Sequence, residues 1–594
     1  MNRFWLSLIA GVSLMVVVRP ADAQLPAKNK SDAKTEAARL ANERRAQARA
    51  LLISLATDAR TFRDLKLRAR SLARIADVLW SVDAEQGRAL FRKAWEAAET
   101  ADETQPSYTL GDGPLNVRSE VLEMSAKRDR LLAEEFLQKS KSDQDDERSE
   151  EDPLGLPEAL RQRLDLAESL LRSGDTERAV QFADPALRSV TTFTMTFLTH
   201  LRERNPAAAD QRYAALLANT ADNMLTDANT ISVLSSYIFT PQAYVIFSPY
   251  GIAATSSPPA VIPPANVGPP LTLAFFRTAA SVLLRPQPPP DQDRSTTGTF
   301  GKYLAVKHLM PLFDQYAPKE IAAAMRAQLE ALNSLASNTR ESEVLPNKTG
   351  LEEQLLPDQE QSLLDRVETA KTSGERDKLH FKLALLALSK NDLKARDYVS
   401  KIDESGFRQL AQAWVDWGLA IGAVKQKKTD VALELVRTGE LSHIQRVWIL
   451  TQSAKLLAKS DRDKALSLID EATAEARRID GDDLNRPRGL LAIANALTLV
   501  EPTRTWEAIF DAVKAANSAE GFTGEDGALI LNIKGGNDIW AARYDNPDFD
   551  LEGIFSEVAH TDYERTVQLA RGFRDEAPRA NATIAIARAL LNKK

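Results

Sequence analysis

The sequence predicts an all-α chain assembled from short helical hairpins, and three observations carry that reading. From about residue 51 onward, apolar residues return at helical spacing, as in Leu65, Leu72, Ile75, Ala76 and Leu79, with arginines on the opposite side. Ala, Leu, Arg, Glu and Lys dominate, while β-branched alternation is nearly absent. One helix–turn–helix outline also comes back five times along the chain.

The elements follow in order. Met1-Asn2-Arg3 supplies positive charge, Phe4 to Val18 an uninterrupted weakly polar run, and Ala21-Asp22-Ala23 an A-x-A site. Together these predict a cleavable secretory signal over 1–23. The run is shorter than the ~20 residues a membrane-spanning helix needs. With no cysteine to lipidate, the expected product is an exported protein, periplasmic or extracellular, and not a lipoprotein.

Residues 24–138 read as a polar lead-in followed by helical hairpins. The first outline is Ala76-Asp77-Val78-Leu79, Asp83, Ala89-Leu90 and Ala94. The charged run 139–153 cannot bury a face and reads as a linker. Residues 154–240 resume the repeats with Ala167 to Leu171, Gly174-Asp175, Ala179 and Ala183. The segment 241–300 is a Pro-rich insertion, since 241–290 holds 12 of the 28 prolines, a density that predicts extended backbone without helix. Helices return over 301–340, and a second linker follows over 341–360.

The span 361–520 carries three more outlines. They are Ala384-Leu385-Leu386 with Asn391-Asp392 and Ala395; Ala454 to Leu457 with Asp461 and Ala465; and Ala494 to Leu497 with Glu501-Pro502 and Ala508. In each, Ala lets two helices approach and Leu fills the layer between them. An Asp in the turn is placed to accept the first unpaired N–H groups of the second helix, and Pro502 suits a first helical turn. Residues 521–550 break the period; Ala528 to Ile533 and Ile539 to Ala542 around Gly535-Gly536-Asn537 predict a β-hairpin resting on helices. The final stretch, 551–594, is a helical pair with Pro578 at the start of its last helix.

These outlines resemble the tetratricopeptide-like class of α-solenoids, in which helical hairpins of ~34 residues stack in series. The signature Trp-Leu-Gly-Tyr positions are not at the spacing of that class, and the copies are irregularly placed. The layout also looks like uncharacterised exported bacterial repeat proteins. That resemblance implies binding of a protein or peptide and no particular chemistry.

Composition narrows the functions further. A net charge of −7 over 594 residues offers no basic field for nucleic acid. The absence of cysteine removes disulfides, thiol nucleophiles and Cys-based metal sites. The five histidines, His200, His308, His380, His443 and His560, include no i,i+4 pair and no HExxH. Lys348-Thr349-Gly350 matches one fragment of the serine β-lactamase set, but its companions fail: the SxxK match at Ser31–Lys34 lies in the lead-in, and no SDN occurs. There is no GxSxG elbow, P-loop or GxGxxG.

Asp480-Gly481-Asp482-Asp483 carries part of a calcium-loop pattern, yet the sixth and twelfth positions are Asn485 and Leu491, which makes it a helix–helix turn. Asp545, Asp548, Asp550 and Glu552 suit a hard cation or a set of caps. Glu471 and Glu475 share a helix face, and Arg478 next to Glu475 reads as a surface ion pair. No catalytic residue, cofactor site or metal site is assigned.

Two groups are candidate partner-binding residues. Tyr244, Phe247 and Tyr250 of the Pro-rich segment are placed either to anchor a partner or to tuck into the array itself. Trp414 and Trp417, at i,i+3 on one helix, stack on a sugar, anchor a peptide, or fill the core between layers. The function expected is a non-catalytic scaffold in the cell envelope. The alternatives are a carbohydrate hydrolase or lyase on a helical frame, and a structural component of an envelope assembly.

Overall fold

The computed structural model describes residues 30–104, 116–139, 157–241, 243–256, 266–289, 293–336, 359–525, 527–535 and 538–592. The signal segment and nearly all of both charged linkers lie outside these residues.

An N-terminal arm holds α1 (Lys30–Ala59), α2 (Leu65–Leu79), α3 (Ala84–Thr104), α4 (Val117–Ala126), α5 (Arg130–Lys139), α6 (Glu158–Arg172), α7 (Thr176–Ala183), α8 (Thr192–Arg204), α9 (Pro206–Asp222) and α10 (Ala228–Ile238). A strand pair, β1 (Tyr244–Ser248) and β2 (Gly251–Ser256), precedes α11 (Pro269–Leu283), α12 (Gly298–Tyr316) and α13 (Lys319–Ala336). A C-terminal arm holds α14 (Gln359–Thr369), α15 (Ser373–Ser389), α16 (Lys394–Ser400), α17 (Ser405–Lys425), α18 (Thr429–Thr438), α19 (His443–Leu457), α20 (Arg462–Arg477), α21 (Asn485–Val500) and α22 (Pro502–Ala516). It ends with β3 (Leu529–Gly535), β4 (Asp538–Tyr544), α23 (Leu551–Thr561), α24 (Tyr563–Arg571) and α25 (Glu576–Leu591).

All five outlines are helical pairs: α2–α3, α6–α7, α15–α16, α19–α20 and α21–α22. Their turns work as the residue types require. Asp83 accepts from Gln86 N at 3.0 Å, Asp175 from Arg178 N at 3.2 Å, Asp392 from Lys394 N at 3.0 Å, and Asp461 from Lys464 N at 3.0 Å. Pro502 occupies the first turn of α22, where a missing N–H costs nothing.

The first helices of successive pairs lie against one another and make a front layer; the second helices cover it from behind. A helix walled in on two sides must be apolar around most of its circumference, whereas a covering helix needs only a stripe. So α19 buries Ile444, Gln445, Val447, Ile449, Leu450, Thr451, Ser453 and Ala454, while α20 buries Ala465, Leu468, Ile469, Ala472, Glu475 and Ala476 at stripe spacing.

The front layer does not follow the order of the sequence. It runs α15, α17, α19, α21, α23 and α25, and continues from α25 directly onto α2, then α4, α6, α8, α10 and α12. The two ends of the chain thus meet inside the array. Helix α1 packs on both α25 and α2, in the place of a second helix, so one hairpin is made of the last helix and the first. Helix α25 is apolar on two sides for this reason. Ala580, Ile584, Ala587 and Leu591 enter the N-terminal core, while Ala582, Ala585 and Ile586 enter the C-terminal core.

The strand pairs lie on the front layer. In the first, Tyr244 faces Ser256 and Ser248 faces Gly251, with a register shift at Ile246/Phe247; it rests on α10 and α12. The second pairs Leu529 with Tyr544 and Gly535 with Asp538, and β3 rests on α17, as the period break at 521–543 predicts.

The Pro-rich segment departs from expectation. It is not helix-free: α11 is a four-turn helix whose Pro269 and Pro270 stand in its first turn. Proline breaks a helix interior by removing a hydrogen bond, but the first-turn N–H groups have no helical partner to lose. The helix then buries Phe275, Phe276, Ala279, Val282 and Leu283.

Candidate functional site

The front layer falls into three parts: a stretch under each hairpin and a stretch between them. On the N-terminal arm, β1 is clamped by side chains of α10. Asn229 Nδ2 donates to Phe247 O and Asn229 Oδ1 accepts from Phe247 N, each at 2.8 Å. Ser232 Oγ donates to Val245 O at 2.6 Å. Gly301 on α12 permits this approach, since a Cβ there would lie 2.6 Å from Ser248 O.

Of the three aromatic candidates, Phe247 is buried, its ring 5.8 Å from that of His308, and Tyr244 packs on the same core. Only Tyr250, at the hairpin turn, stands in solvent, at 84% exposure. Phe247 is thus tucked into the array and Tyr244 partly so.

On the C-terminal arm, rings hold the hairpin. Trp540 lies 5.0 Å from Phe381 and 5.8 Å from Phe407; Tyr544 lies 5.8 Å from Trp417, which also meets Trp448 at 5.2 Å. Trp414 and Trp417 are buried in this cluster, at 6% and 0% exposure. The structure places both in the core, Trp414 against Phe381 of α15 and Trp417 against Tyr544 of β4.

The chemistry-bearing residues are scattered. Asp548 accepts from Lys455 at 2.6 Å and from Gln452, Asp545 pairs with Arg543 and Glu552 with Arg588, so this acidic run is spread over separate cations. Asp480 to Asp483 is the α20–α21 turn, with Asp483 accepting from Asn485 N at 2.7 Å. Glu475 pairs with Arg478 as expected, but it is buried and also meets His443 at 2.7 Å and Arg446 at 3.9 Å, while Glu471 is exposed. His200 meets Glu168 on the other arm. Among the described residues, no group of three or more His, Asp or Glu side chains is placed to hold a metal. Lys348-Thr349-Gly350 lies outside those residues, and Ser31–Lys34 falls within α1.

Two buried acids carry no sequence signal and act as fasteners between pairs. Asp377 of α15 accepts from Asp403 N at 2.7 Å and Glu404 N at 3.1 Å. Asp416 of α17, fully buried, accepts from Glu440 N at 2.9 Å and meets Arg396 at 2.8 Å. Burial raises its pKa, which these donors oppose.

The stretch between the hairpins spans α23, α25, α2 and α4 and is a ladder of half-buried ion pairs. Arg588 of α25 bridges Glu552 and Asp77, the latter at 3.4 Å; Asp77 also meets Arg128 at 2.7 Å. Arg70 of α2 grips Glu120 of α4 with two bonds of 2.6 and 2.7 Å. Arg74 donates to Asn581 at 3.1 Å and also meets Glu525. Among the described residues, no helix is long and apolar enough to cross a membrane.

No protein-family model and no curated protein matches this chain. A solved structure that is similar is a circular tandem repeat protein with novel repeat topology and enhanced subunit contact surfaces. The two share 13% identity over 92% of this chain and 95% of the other, and the TM-score of 0.10 is too low to bear on the fold.

Proposed function

We propose that the chain is an exported, non-catalytic helical-repeat scaffold that binds a protein or peptide in the cell envelope. The observation that carries this reading is the front layer, twelve helices long among the described residues, whose middle stretch carries paired, half-buried charges of both signs. A polar or charged partner can exchange with such pairs, and an extended repeat face suits a partner without a deep pocket.

The test uses the full mature chain carrying Arg70→Ala and Arg128→Ala, compared with the parent by cross-linking in envelope extract at low and high salt. The reading expects a defined partner, weakened by salt and lost in the double variant, with helical content unchanged. An identical set of cross-links in parent and variant would overturn it.

A further inference from the structure

A cavity of about 370 Å³ lies on the N-terminal arm, away from the middle stretch of the front layer. It is enclosed by the α9–α10 turn, the residues that follow α11, and the start of α12. Its volume is at the small end of the ~300–1,000 Å³ found for ligand pockets.

Two polar groups in it are left incomplete by the protein. Lys302 is 8% exposed, and its Nζ donates to Arg285 O at 2.8 Å. Among the described residues no carboxylate lies within 4 Å of that ammonium, and Arg285 O is the one acceptor it meets there. Burial lowers the Lys302 pKa, the charge of Asp293 opposes that shift and the charge of Arg285 adds to it. Gln287 provides the complement. Its Nε2 donates to Asp293 Oδ2 at 2.9 Å, which fixes the amide orientation, and its buried Oε1 accepts nothing.

The two acids lining the cavity already accept bonds from the protein's main chain and side chains. Asp293 Oδ1 accepts from Ser295 N at 2.9 Å. Asp227 accepts from Asn229 N at 3.0 Å through one oxygen and from Thr296 N at 2.9 Å through the other. The wall beyond is apolar: Val282 is buried, while Met224 and Leu225 stand at 80% and 77% exposure on the α9–α10 turn. Burying a charge and an acceptor unsatisfied is costly, so the cavity is built for a molecule that completes both.

We propose that this cavity binds a carboxylate flanked by an amide N–H and an apolar side chain, the chemistry shared by a peptide C-terminus and an N-acylated apolar amino acid. The carboxylate sits on Lys302, the N–H donates to Gln287 Oε1, and the side chain lies against Val282, Met224 and Leu225. The proposal does not depend on the scaffold reading.

The probes are N-acetyl-leucine, N-acetylleucinamide and an acetylated hexapeptide ending in leucine, titrated calorimetrically into the full mature chain. The acid should bind about tenfold more tightly than the amide, because only the acid makes a charge-assisted bond. Lys302→Met should erase that preference. Met224→Ser with Leu225→Ser, an exposed pair whose change leaves the core intact, should weaken acid and amide together by about tenfold. Binding of the hexapeptide as well as the small acid assigns the site to chain ends; binding of the small acid alone assigns it to free acylated amino acids. Equal binding of acid and amide, no binding of any probe, or an unchanged preference in the Lys302 variant would overturn the proposal.

Discussion

The two hairpins solve one problem by different means. Each spreads a pair of strands, too few to stand alone, over the front layer of its own arm. On the N-terminal arm the fastening is polar: Asn229 and Ser232 bond to the main chain of β1 much as a neighbouring strand would. On the C-terminal arm it is aromatic, with Trp540 and Tyr544 set among Phe381, Phe407 and Trp417, and an ion pair, Lys378 to Asp538 at 3.0 Å, at the margin. Ring packing tolerates small shifts of a strand, whereas two hydrogen bonds to one residue fix its register.

The largest effect should come from Phe381→Ala. This ring is fully buried among Phe407, Trp414 and Trp540, and its loss should cost about 3–5 kcal/mol in denaturant unfolding. Asn229→Ala should follow, at about 2–4 kcal/mol, because it strands the N–H and C=O of Phe247 in the core. If the comparison is right, amide exchange in Asn229→Ala should quicken across β1 and β2 and leave β3 and β4 unaffected.

Acid should then act within the N-terminal arm. His308 is buried against Phe247, and burial lowers its pKa to about 4 from an ordinary 6.5. The unfolded chain therefore takes up this proton first as the pH falls through 6.5. Stability drops between 6.5 and about 4, by up to about 3 kcal/mol, and levels off below that. His200 works in the opposite sense: its bond to Glu168 raises its pKa, so its stabilisation is present below 6.5 and fades as the pH rises through the folded value. His308→Leu should flatten the acid limb of a pH series of urea midpoints; an unchanged limb would remove His308 from the account. Smallest of all, Tyr250→Ala should shift stability by no more than about 0.5 kcal/mol, since its side chain is almost wholly in solvent.

Local order was legible in the sequence. Asp83, Asp175 and Asp461 mark helix starts because a carboxylate two or three residues ahead of unpaired N–H groups has one evident use. The break around 528–542 was equally readable. The prolines misled at α11, where counting them across a segment hid that Pro269 and Pro270 stand together at a helix start. Tyr244, Phe247, Trp414 and Trp417 were ambiguous in kind, since a large ring is as useful under a strand as under a ligand. Nothing local announces Asn229, Lys302 or Gln287, whose partners lie 18, 17 and 6 positions away on other elements or in a loop. The meeting of the chain ends had one trace: the apolar residues of α25 do not keep to a stripe, as befits a helix serving two cores.

That meeting sets an order of events during synthesis. Arg74 and Asn581 are bonded across 507 positions, and α1 packs on α25, a helix made long after it. The earlier helix therefore keeps that side uncovered until its partner has been made. Loop closure on that scale is slow and leaves sticky surface within reach of other chains. A nascent chain halted before residue 576 should be a ready client for holding chaperones, and release of the final sixteen-residue helix the step that frees it.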